Sequence, residues 1–323
     1  MGVPSRRLIG YLCALGAGTL WGTTGPLSTA LYAAGAELTG IGFWRIAVAS
    51  VGFLGWGLLR RDLRGVEPRW WLIAALGGGT LVALFEVAYQ FGIAGAGVAG
   101  AAALLYTAPV MVALLAHLTL GERLTLSKGA LAIAVGVGAA LTVRGGSAAG
   151  AEGMGSPGIG GGVLGGLIAA ASYAGTTVLA RFAVPRLGAF RFLALEIMGG
   201  TLILGAVLPL TGRAPALPPG PGGWLYVAAL ALGTVWLANG FFFAAVQRIE
   251  ATPTAVTATI EPVVGALLAL VLFRQELTVI GWLGLLVVVG SVATGYALEN
   301  KTNRTYRGVQ DVQGDGREGP FAT

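Results

Sequence analysis

The sequence predicts an all-α integral membrane protein with ten transmembrane helices, arranged as two inverted five-helix repeats. Three observations lead to this prediction: a high apolar content, the placement of basic residues between apolar segments, and an internal repeat. Of the 323 residues, 55% are hydrophobic and 11% are charged, whereas soluble domains carry about 25% charged residues. A soluble protein of this length cannot bury so much apolar surface. We therefore expect the chain to lie in a lipid bilayer, where its 55 glycines allow close helix contacts.

The counts of reactive residues exclude several kinds of site. The single cysteine, Cys13, excludes an intramolecular disulfide and a cysteine metal cluster. The single histidine, His117, excludes histidine metal pairs and argues against a Ser-His-Asp triad. The sequence has no phosphate-binding P-loop, so we expect no cofactor, no metal and no enzymatic activity. The net charge of +6 does not indicate nucleic-acid binding, because the basic residues lie in loops between apolar segments.

Ten segments are long and apolar enough to cross a bilayer, which requires roughly 20 residues per helix. The first follows Arg6 and Arg7 and is too long for a signal peptide. The third and fourth are separated only by Gly95-Ala96-Gly97. The predicted spans are, in order, Leu8–Leu31, Leu38–Leu59, Trp70–Ile93, Val98–Leu120, Ser127–Val143, Ile159–Phe182, Ala189–Leu210, Gly223–Gln247, Thr252–Phe273 and Thr278–Leu298.

The basic residues predict the orientation of these spans. With the N-terminus placed inside, only Arg144, Arg213 and Arg274 fall in outer loops. Cytoplasmic loops of membrane proteins carry an excess of Lys and Arg, so we expect both termini to be cytoplasmic. The basic residues on the inner side are Arg6, Arg7, Arg60, Arg61, Arg64, Arg69, Arg123, Lys128, Arg181, Arg186, Arg191, Arg248, Lys301, Arg304, Arg307 and Arg317.

A repeat relates the two halves of the chain at an offset of 153 residues. The segment PVMVALLA at 109–116 returns as PVVGALLA at 262–269, and Gly22-Thr23-Thr24 returns as Gly175-Thr176-Thr177. Because each copy contains an odd number of spans, the second copy enters the membrane inverted. Inverted repeats are typical of secondary transporters, which open to each side in turn around a site near the midplane.

The repeat also divides the chain. We predict a first five-helix repeat over 8–144 and a second, inverted repeat over 159–298. A linker rich in Gly, Ser and Ala, 145–158, joins them, and 299–323 forms a flexible polar cytoplasmic tail. Ten spans suffice for a complete pathway, so we expect a monomer whose partners are a small-molecule substrate and the lipid bilayer.

Four stretches carry a family resemblance: LWGTTGPL at 20–27, FWR at 43–45, and the segments at 106–125 and 259–278. With these motifs the chain resembles the EamA-type permeases of the drug/metabolite transporter superfamily, and most closely the amino-acid and metabolite exporters of the YddG type. The resemblance implies ten helices, a bacterial inner-membrane location, cytoplasmic termini and efflux of small metabolites. The second copy departs from the family pattern, with Arg274-Gln275-Glu276 in place of Gly-Glu-Arg.

Ionisable residues inside predicted spans are candidates for function, because they usually face a cavity or a partner. They are Arg45, Glu86, Glu196 and Glu261. Arg45 and Glu86 lie at matching depths, about 20–25 Å above the inner surface at 1.5 Å per residue. They form either an ion pair that locks helix packing or a contact to the substrate. Glu261 has no counterpart in the first copy and either orients the substrate or holds a neighbouring helix.

Polar and aromatic residues extend the candidate site. The repeat pairs Glu86 with Asn239. Tyr89 and Gln90 lie on the same helical face as Glu86, and Trp236 and Phe243 lie on the same face as Asn239. These faces either line a cavity or form hydrogen bonds between helices. Prolines in three spans predict bends. The predicted substrate-binding or cavity residues are Trp21, Thr23, Arg45, Glu86, Tyr89, Gln90, Tyr106, Tyr173, Thr176, Trp236, Asn239, Phe243 and Glu261, and the predicted hinge residues are Pro26, Pro109 and Pro262.

These features favour a secondary transporter that exports small amphipathic metabolites, including aromatic amino acids, by alternating access. Two alternatives stay open at this point. One is a membrane-embedded enzyme that modifies lipid, and the other is an uptake permease for nucleosides, sugars or other metabolites. The aromatic candidates either pack the bundle or stack on the substrate. His117 lies near an inner helix end, where we expect snorkelling or capping.

Overall fold

The computed structural model describes residues 6–60, 67–120, 126–146, 157–212, 214–249 and 251–315. Over these ranges the chain is all-helical, with one isolated antiparallel bridge between Gly146 and Leu277. Most of the predicted linker lies outside the described residues, as do the end of the tail and the basic residues Arg61, Arg64, Arg123, Arg213 and Arg317.

The first half contains seven α-helices and a first π-helical segment, Ile73–Gly78. The α-helices are α1 (Arg6–Gly22), α2 (Thr24–Ala33), α3 (Leu38–Arg60), α4 (Pro68–Leu72), α5 (Gly79–Leu105), α6 (Ala108–Leu120) and α7 (Leu126–Gly145).

The second half repeats this plan, with a second π-helical segment, Leu230–Leu237, within its third apolar stretch. Its α-helices are α8 (Gly158–Leu187), α9 (Ala189–Leu210), α10 (Gly220–Ala229), α11 (Ala238–Val246), α12 (Ala251–Ala258), α13 (Glu261–Phe273) and α14 (Val279–Asp315).

Among the described residues, six helical stretches are long and apolar enough to cross a membrane, with mean hydropathies of 1.4 to 2.1. Shorter apolar helices cover several of the other predicted spans, and the total of ten remains a prediction. The chain is therefore a multi-pass membrane protein. The six stretches are Leu38–Leu59, Pro68–Leu105, Gly158–Leu187, Ala189–Leu210, Gly220–Val246 and Val256–Phe273.

The chain turns sharply at Gly97, which interrupts α5. Gly97 has φ 74° and ψ 170°, a conformation that only glycine adopts without strain. The turn falls where the sequence predicts the boundary between the third and fourth spans. After the turn, the Val98 N–H has no acceptor within its own helix. It donates instead to the Gln275 side-chain oxygen at 3.1 Å.

Gln275 belongs to the connection between α13 and α14. Arg274, which precedes it, adopts the left-handed conformation with φ 53° and ψ 32°. Glycine is the usual residue for this conformation at a helix end, and the repeat places Gly121 there in the first copy. The Thr278 N–H then donates to the Gly145 carbonyl at 2.8 Å. The connection therefore holds both the start of the fourth predicted span and the end of α7.

Three helix breaks precede the three predicted hinge prolines, Pro26, Pro109 and Pro262. Proline has no N–H and cannot continue the hydrogen-bond ladder. A threonine hydroxyl at each break binds a backbone carbonyl three residues earlier, which satisfies part of the interrupted ladder. The pairs are Thr23 with Leu20 at 2.6 Å, Thr107 with Leu104 at 2.7 Å, and Thr259 with Val256 at 2.6 Å.

The last helix extends further than the sequence predicts. The predicted tenth span ends at Leu298 and a flexible polar tail is predicted from residue 299, whereas α14 continues to Asp315. No proline interrupts residues 299–315, and polar residues such as Lys, Arg and Gln have good helix propensity. The backbone hydrogen bonds of the membrane-spanning helix therefore continue beyond its apolar residues.

Glycines bring the backbones of neighbouring helices into contact. Gly199 of α9 faces the first π segment, and a methyl group added there would overlap the carbonyl oxygen of Ala75. Similar contacts join α5 to α8 at Gly95 and Gly162, and α7 to α14 near Gly145. Membrane helices associate largely through such close packing, so these seams determine the arrangement of the bundle.

The Gly199 seam predicts a specific loss of stability. Gly199→Ala should lower the free energy of unfolding by about 1–3 kcal/mol, the usual effect of overpacking. The matched control is Gly136→Ala in α7, where no atom lies within 4 Å of the added carbon. Thermal unfolding in detergent micelles measures both variants. Equal loss of stability in the two would contradict the contact at Gly199.

Candidate substrate site

A buried ion pair joins three parts of the bundle. Arg45 of α3 donates from Nη1 to both carboxylate oxygens of Glu86 of α5, each at 3.0 Å. Its Nε and Nη2 lie 3.3 and 3.1 Å from the Thr234 hydroxyl in the second π segment. Arg45 and Glu86 are only 7% and 3% exposed. Of the two interpretations from sequence, the geometry matches the ion pair that holds helices together.

A second polar contact lies between α2 and α5. The Tyr32 hydroxyl donates to the side-chain oxygen of Gln90, which is fully buried. The Gln90 side-chain nitrogen and the nearby Ser28 hydroxyl have no hydrogen-bond partner among the described residues. An unsatisfied buried polar group costs about 1–3 kcal/mol. Both residues are fully buried, so a ligand reaches these groups only after the surrounding helices separate.

A third contact crosses between the two halves. The Tyr106 hydroxyl donates to the Glu261 Oε2 atom at 3.1 Å. Tyr106 lies at the break before Pro109, and Glu261 is the first residue of α13 before Pro262. Glu261 is partly exposed, unlike Glu86. The carboxylate that distinguishes the second copy thus lies at the point where the two bends meet, in contact with the Tyr106 hydroxyl.

Electrostatic interactions connect these contacts into one region. Glu261 lies within electrostatic range of Arg45 and Tyr89, and Tyr89 lies within the same range of Tyr32. Because Arg45 is neutralised by Glu86, an ionised Glu261 adds one unbalanced negative charge. We call this region the central polar cluster, and its members are Tyr32, Arg45, Glu86, Tyr89, Gln90, Tyr106, Thr234 and Glu261.

Aromatic rings border the cluster on the side of α8. Tyr89 stacks on Phe85 with ring centroids 5.4 Å apart, and Phe85 also lies 6.4 Å from Tyr173. Offset-stacked pairs at such distances contribute about 0.5–1.5 kcal/mol beyond the burial of their area. The structure therefore brings the predicted residues Tyr89 and Tyr173 together through Phe85.

The predicted polar face of the eighth span does not join the cluster. Trp236 stacks on Phe53 at 4.4 Å, and its indole N–H donates to the Ala49 carbonyl at 3.1 Å. Asn239 donates to the Val235 carbonyl of its own helix at 2.6 Å. Phe243 contacts the neighbouring Phe242 ring. These groups find partners within helices or in the apolar core, which accounts for their separation from Glu86.

The Gly-Thr-Thr motifs differ between the two copies. In the first copy, Thr23 lies at the break between α1 and α2, and the Trp21 ring lies 5.4 Å from Phe242. In the second copy, the partly buried Thr176 lies within the uninterrupted α8. The repeat places Leu179 at the position of Pro26, so the second copy lacks the residue that ends the helical ladder.

Sequence reasoning missed several residues of the site: Ser28, Tyr32, Phe85 and Thr234. Tyr32 and Gln90 are 58 residues apart, and Arg45 and Thr234 are 189 apart. The only available signal was the general rule that a polar group inside a membrane requires a partner. That rule predicts a partner for Arg45 and Gln90 but does not identify it.

The Arg45–Glu86 pair predicts strong coupling between two substitutions. Arg45→Met should destabilise the protein by about 3–5 kcal/mol, because it leaves Glu86 buried without a counter-charge. The double variant Arg45→Met/Glu86→Leu removes both charges and should recover most of that loss. Thermal unfolding in detergent of the single and double variants measures the coupling. Additive losses would contradict a direct pair.

Comparisons with known proteins identify the family. The model of the EamA-like transporter family matches residues 8–144 and again residues 160–295. Several solved structures are similar in fold. One of them, a crystal structure, has a TM-score of 0.61 and 22% sequence identity, and the match covers 92% of this chain and 99% of that one. A search of curated proteins finds no match. Because the family model covers most of the chain, the protein belongs to the EamA-like transporter family of the drug/metabolite transporter superfamily.

Proposed function

We propose that this protein exports small amphipathic metabolites, aromatic amino acids among them, by alternating access. The Tyr106–Glu261 contact carries the proposal. It joins the two proline breaks, one from each half, and holds a carboxylate beside the Tyr106 ring. We place the protein in the bacterial inner membrane as a monomer with both termini cytoplasmic. Its matching family, one of transporters, gives the lipid-modifying enzyme no support.

Glu261 supplies the substrate's counter-charge in this proposal. Because the cluster has one unbalanced carboxylate, it favours a ligand that brings a positive charge. An ammonium group bound to Glu261 forms charge-assisted hydrogen bonds, which are about twice as strong as neutral ones. The Tyr106 hydroxyl donates to this carboxylate and holds its orientation.

Other members of the cluster suit the rest of an amino acid. The Gln90 side-chain nitrogen and the Ser28 hydroxyl are buried donors without a partner among the described residues, and both fit a carboxylate. The Tyr89 and Phe85 rings offer a surface for an aromatic side chain. The proposed substrate therefore meets a carboxylate of α13, donors of α2 and α5, and a stacking surface of α5.

The helix breaks support movement around this site. Two hydrogen bonds close the end of the bundle that is predicted to be extracellular. They join Val98 to Gln275 and Thr278 to Gly145. Opening toward that side requires these contacts to separate. The breaks before Pro109 and Pro262 supply bends on both sides of the site, as alternating access around a midplane site requires.

Transport in proteoliposomes tests the function. We expect purified protein to exchange external labelled L-phenylalanine for internal unlabelled L-phenylalanine faster than protein-free vesicles do. A panel of other amino acids, nucleosides and sugars defines the substrate class. Export further predicts faster uptake by everted membrane vesicles than by right-side-out vesicles. Absence of exchange across the whole panel would contradict the proposal, and faster uptake by right-side-out vesicles would favour an uptake permease.

The role of Glu261 predicts a selective loss of transport. Glu261→Gln should reduce L-phenylalanine exchange by about 10- to 100-fold, the equivalent of roughly 1.5–3 kcal/mol for a hydrogen bond to a charged group. Tyr106→Phe should reduce it less, because the carboxylate remains. The matched control is Glu67→Gln, an exposed carboxylate outside the apolar spans. A folded Glu261→Gln variant with normal exchange would assign Glu261 a structural role.

A further inference from the structure

Glu196 differs from the other two carboxyls embedded in the bundle. It lies in α9 and is 5% exposed, and its Oε2 atom has no hydrogen-bond partner within the described residues. Glu86 is paired with Arg45, and Glu261 accepts from Tyr106. Glu196 is therefore a buried carboxyl that neither the ion pair nor the proposed substrate contact uses.

The surroundings of Glu196 are apolar and tightly packed. It faces Gly78, the last residue of the first π segment, where an added Cβ would lie 2.9 Å from the Glu196 Cβ and 3.3 Å from Oε2. Its neighbours in α9, Leu195 and Ile197, are buried in hydrophobic clusters. Such π-helical turns inside α-helices occur frequently at functional sites. The seam between α9 and this segment encloses the carboxyl.

Several charged groups on the elements packed against α9 have partners other than Glu196. Arg45 and Glu86 bind each other. Arg186 of α8 stacks over the Trp70 ring at 4.2 Å. Among the described residues, no hydrogen bond reaches the Glu196 Oε2 atom. The remaining groups on α5, α8 and α9 are Tyr89, Tyr173, Arg181 and Arg191.

An ionised carboxylate without a partner is costly in such a seam, and the neutral acid is tolerated far better. We propose that Glu196 is a proton-binding site that couples transport to the proton gradient, an inference that rests on the proposed function. The carboxyl holds its proton while the seam is closed. When α9 separates from the first π segment, water enters, and the O–H proton passes to water and leaves a carboxylate.

The position of Glu196 indicates the side from which the proton exchanges. It lies seven residues into α9, about 10 Å along the helix from its start at 1.5 Å per residue. The positive-inside pattern assigns that end of α9 to the cytoplasm. Glu261 is partly exposed and suits a substrate, whereas the enclosed Glu196 suits a ligand as small as a proton.

Two measurements test the proposal. The first is infrared spectroscopy of the protein in lipid at neutral pH. The C=O band of a protonated carboxylic acid should be present in the wild type, absent or smaller in Glu196→Gln, and unchanged in the Glu67→Gln control.

The second measurement is the accumulation of L-phenylalanine driven by a gradient of one pH unit. At one proton per substrate, such a gradient supports an accumulation of about tenfold. Glu196→Gln should keep exchange without a gradient but lose this accumulation.

Each outcome is decisive. An unchanged carboxylic band together with normal gradient-driven accumulation in Glu196→Gln overturns the proposal. If Glu196→Gln does not fold, the wild type alone provides the test. A pH gradient that has no effect on L-phenylalanine accumulation by the wild type also overturns the proposal. Glu196→Asp, which retains a carboxyl, should keep both the band and the accumulation. Failure of the proposed function has a different signature: no L-phenylalanine exchange by the wild type, with the infrared band still present.

Discussion

A polar group inside a bilayer must find its partner within the protein, and the architecture of this chain depends on that constraint. Arg45 is satisfied by Glu86 and Thr234, which fixes α3 against α5 and the second π segment. Gln275 accepts the hydrogen bond of the Val98 N–H after the turn at Gly97. Threonine hydroxyls bind carbonyls at the proline breaks. Irregular backbone therefore occurs where nearby side chains satisfy it.

The same constraint separates the three embedded carboxyls by chemistry. Glu86 is held by a guanidinium, Glu261 accepts one hydroxyl and remains partly exposed, and Glu196 is enclosed without a described partner. A carboxylate paired with a cation stabilises packing, a partly exposed one attracts a cationic group, and an enclosed one without a partner favours binding a proton. Structural support, substrate binding and coupling to the proton gradient are therefore assigned to carboxyls on different helices of one bundle.

The sequence predicted features that follow from one-dimensional patterns. Apolar length located the helices, Gly95–Gly97 marked the turn at Gly97, and the repeated prolines marked matching breaks. Matching depth anticipated the Arg45–Glu86 pair. Depth does not determine which neighbour a helical face meets, so the Tyr32–Gln90 contact and the packing of Trp236 against Phe53 were not predicted. Those contacts depend on helix rotation, which glycine seams set in three dimensions.

The central claim is that Glu261 receives the ammonium group of the substrate, and inhibition of L-phenylalanine exchange by two analogues tests it most directly. Phenethylamine keeps the amine and lacks the carboxylate, whereas 3-phenylpropionate keeps the carboxylate and lacks the amine. The account predicts that phenethylamine inhibits exchange more strongly than 3-phenylpropionate. Stronger inhibition by 3-phenylpropionate, or equal inhibition by both, would contradict it.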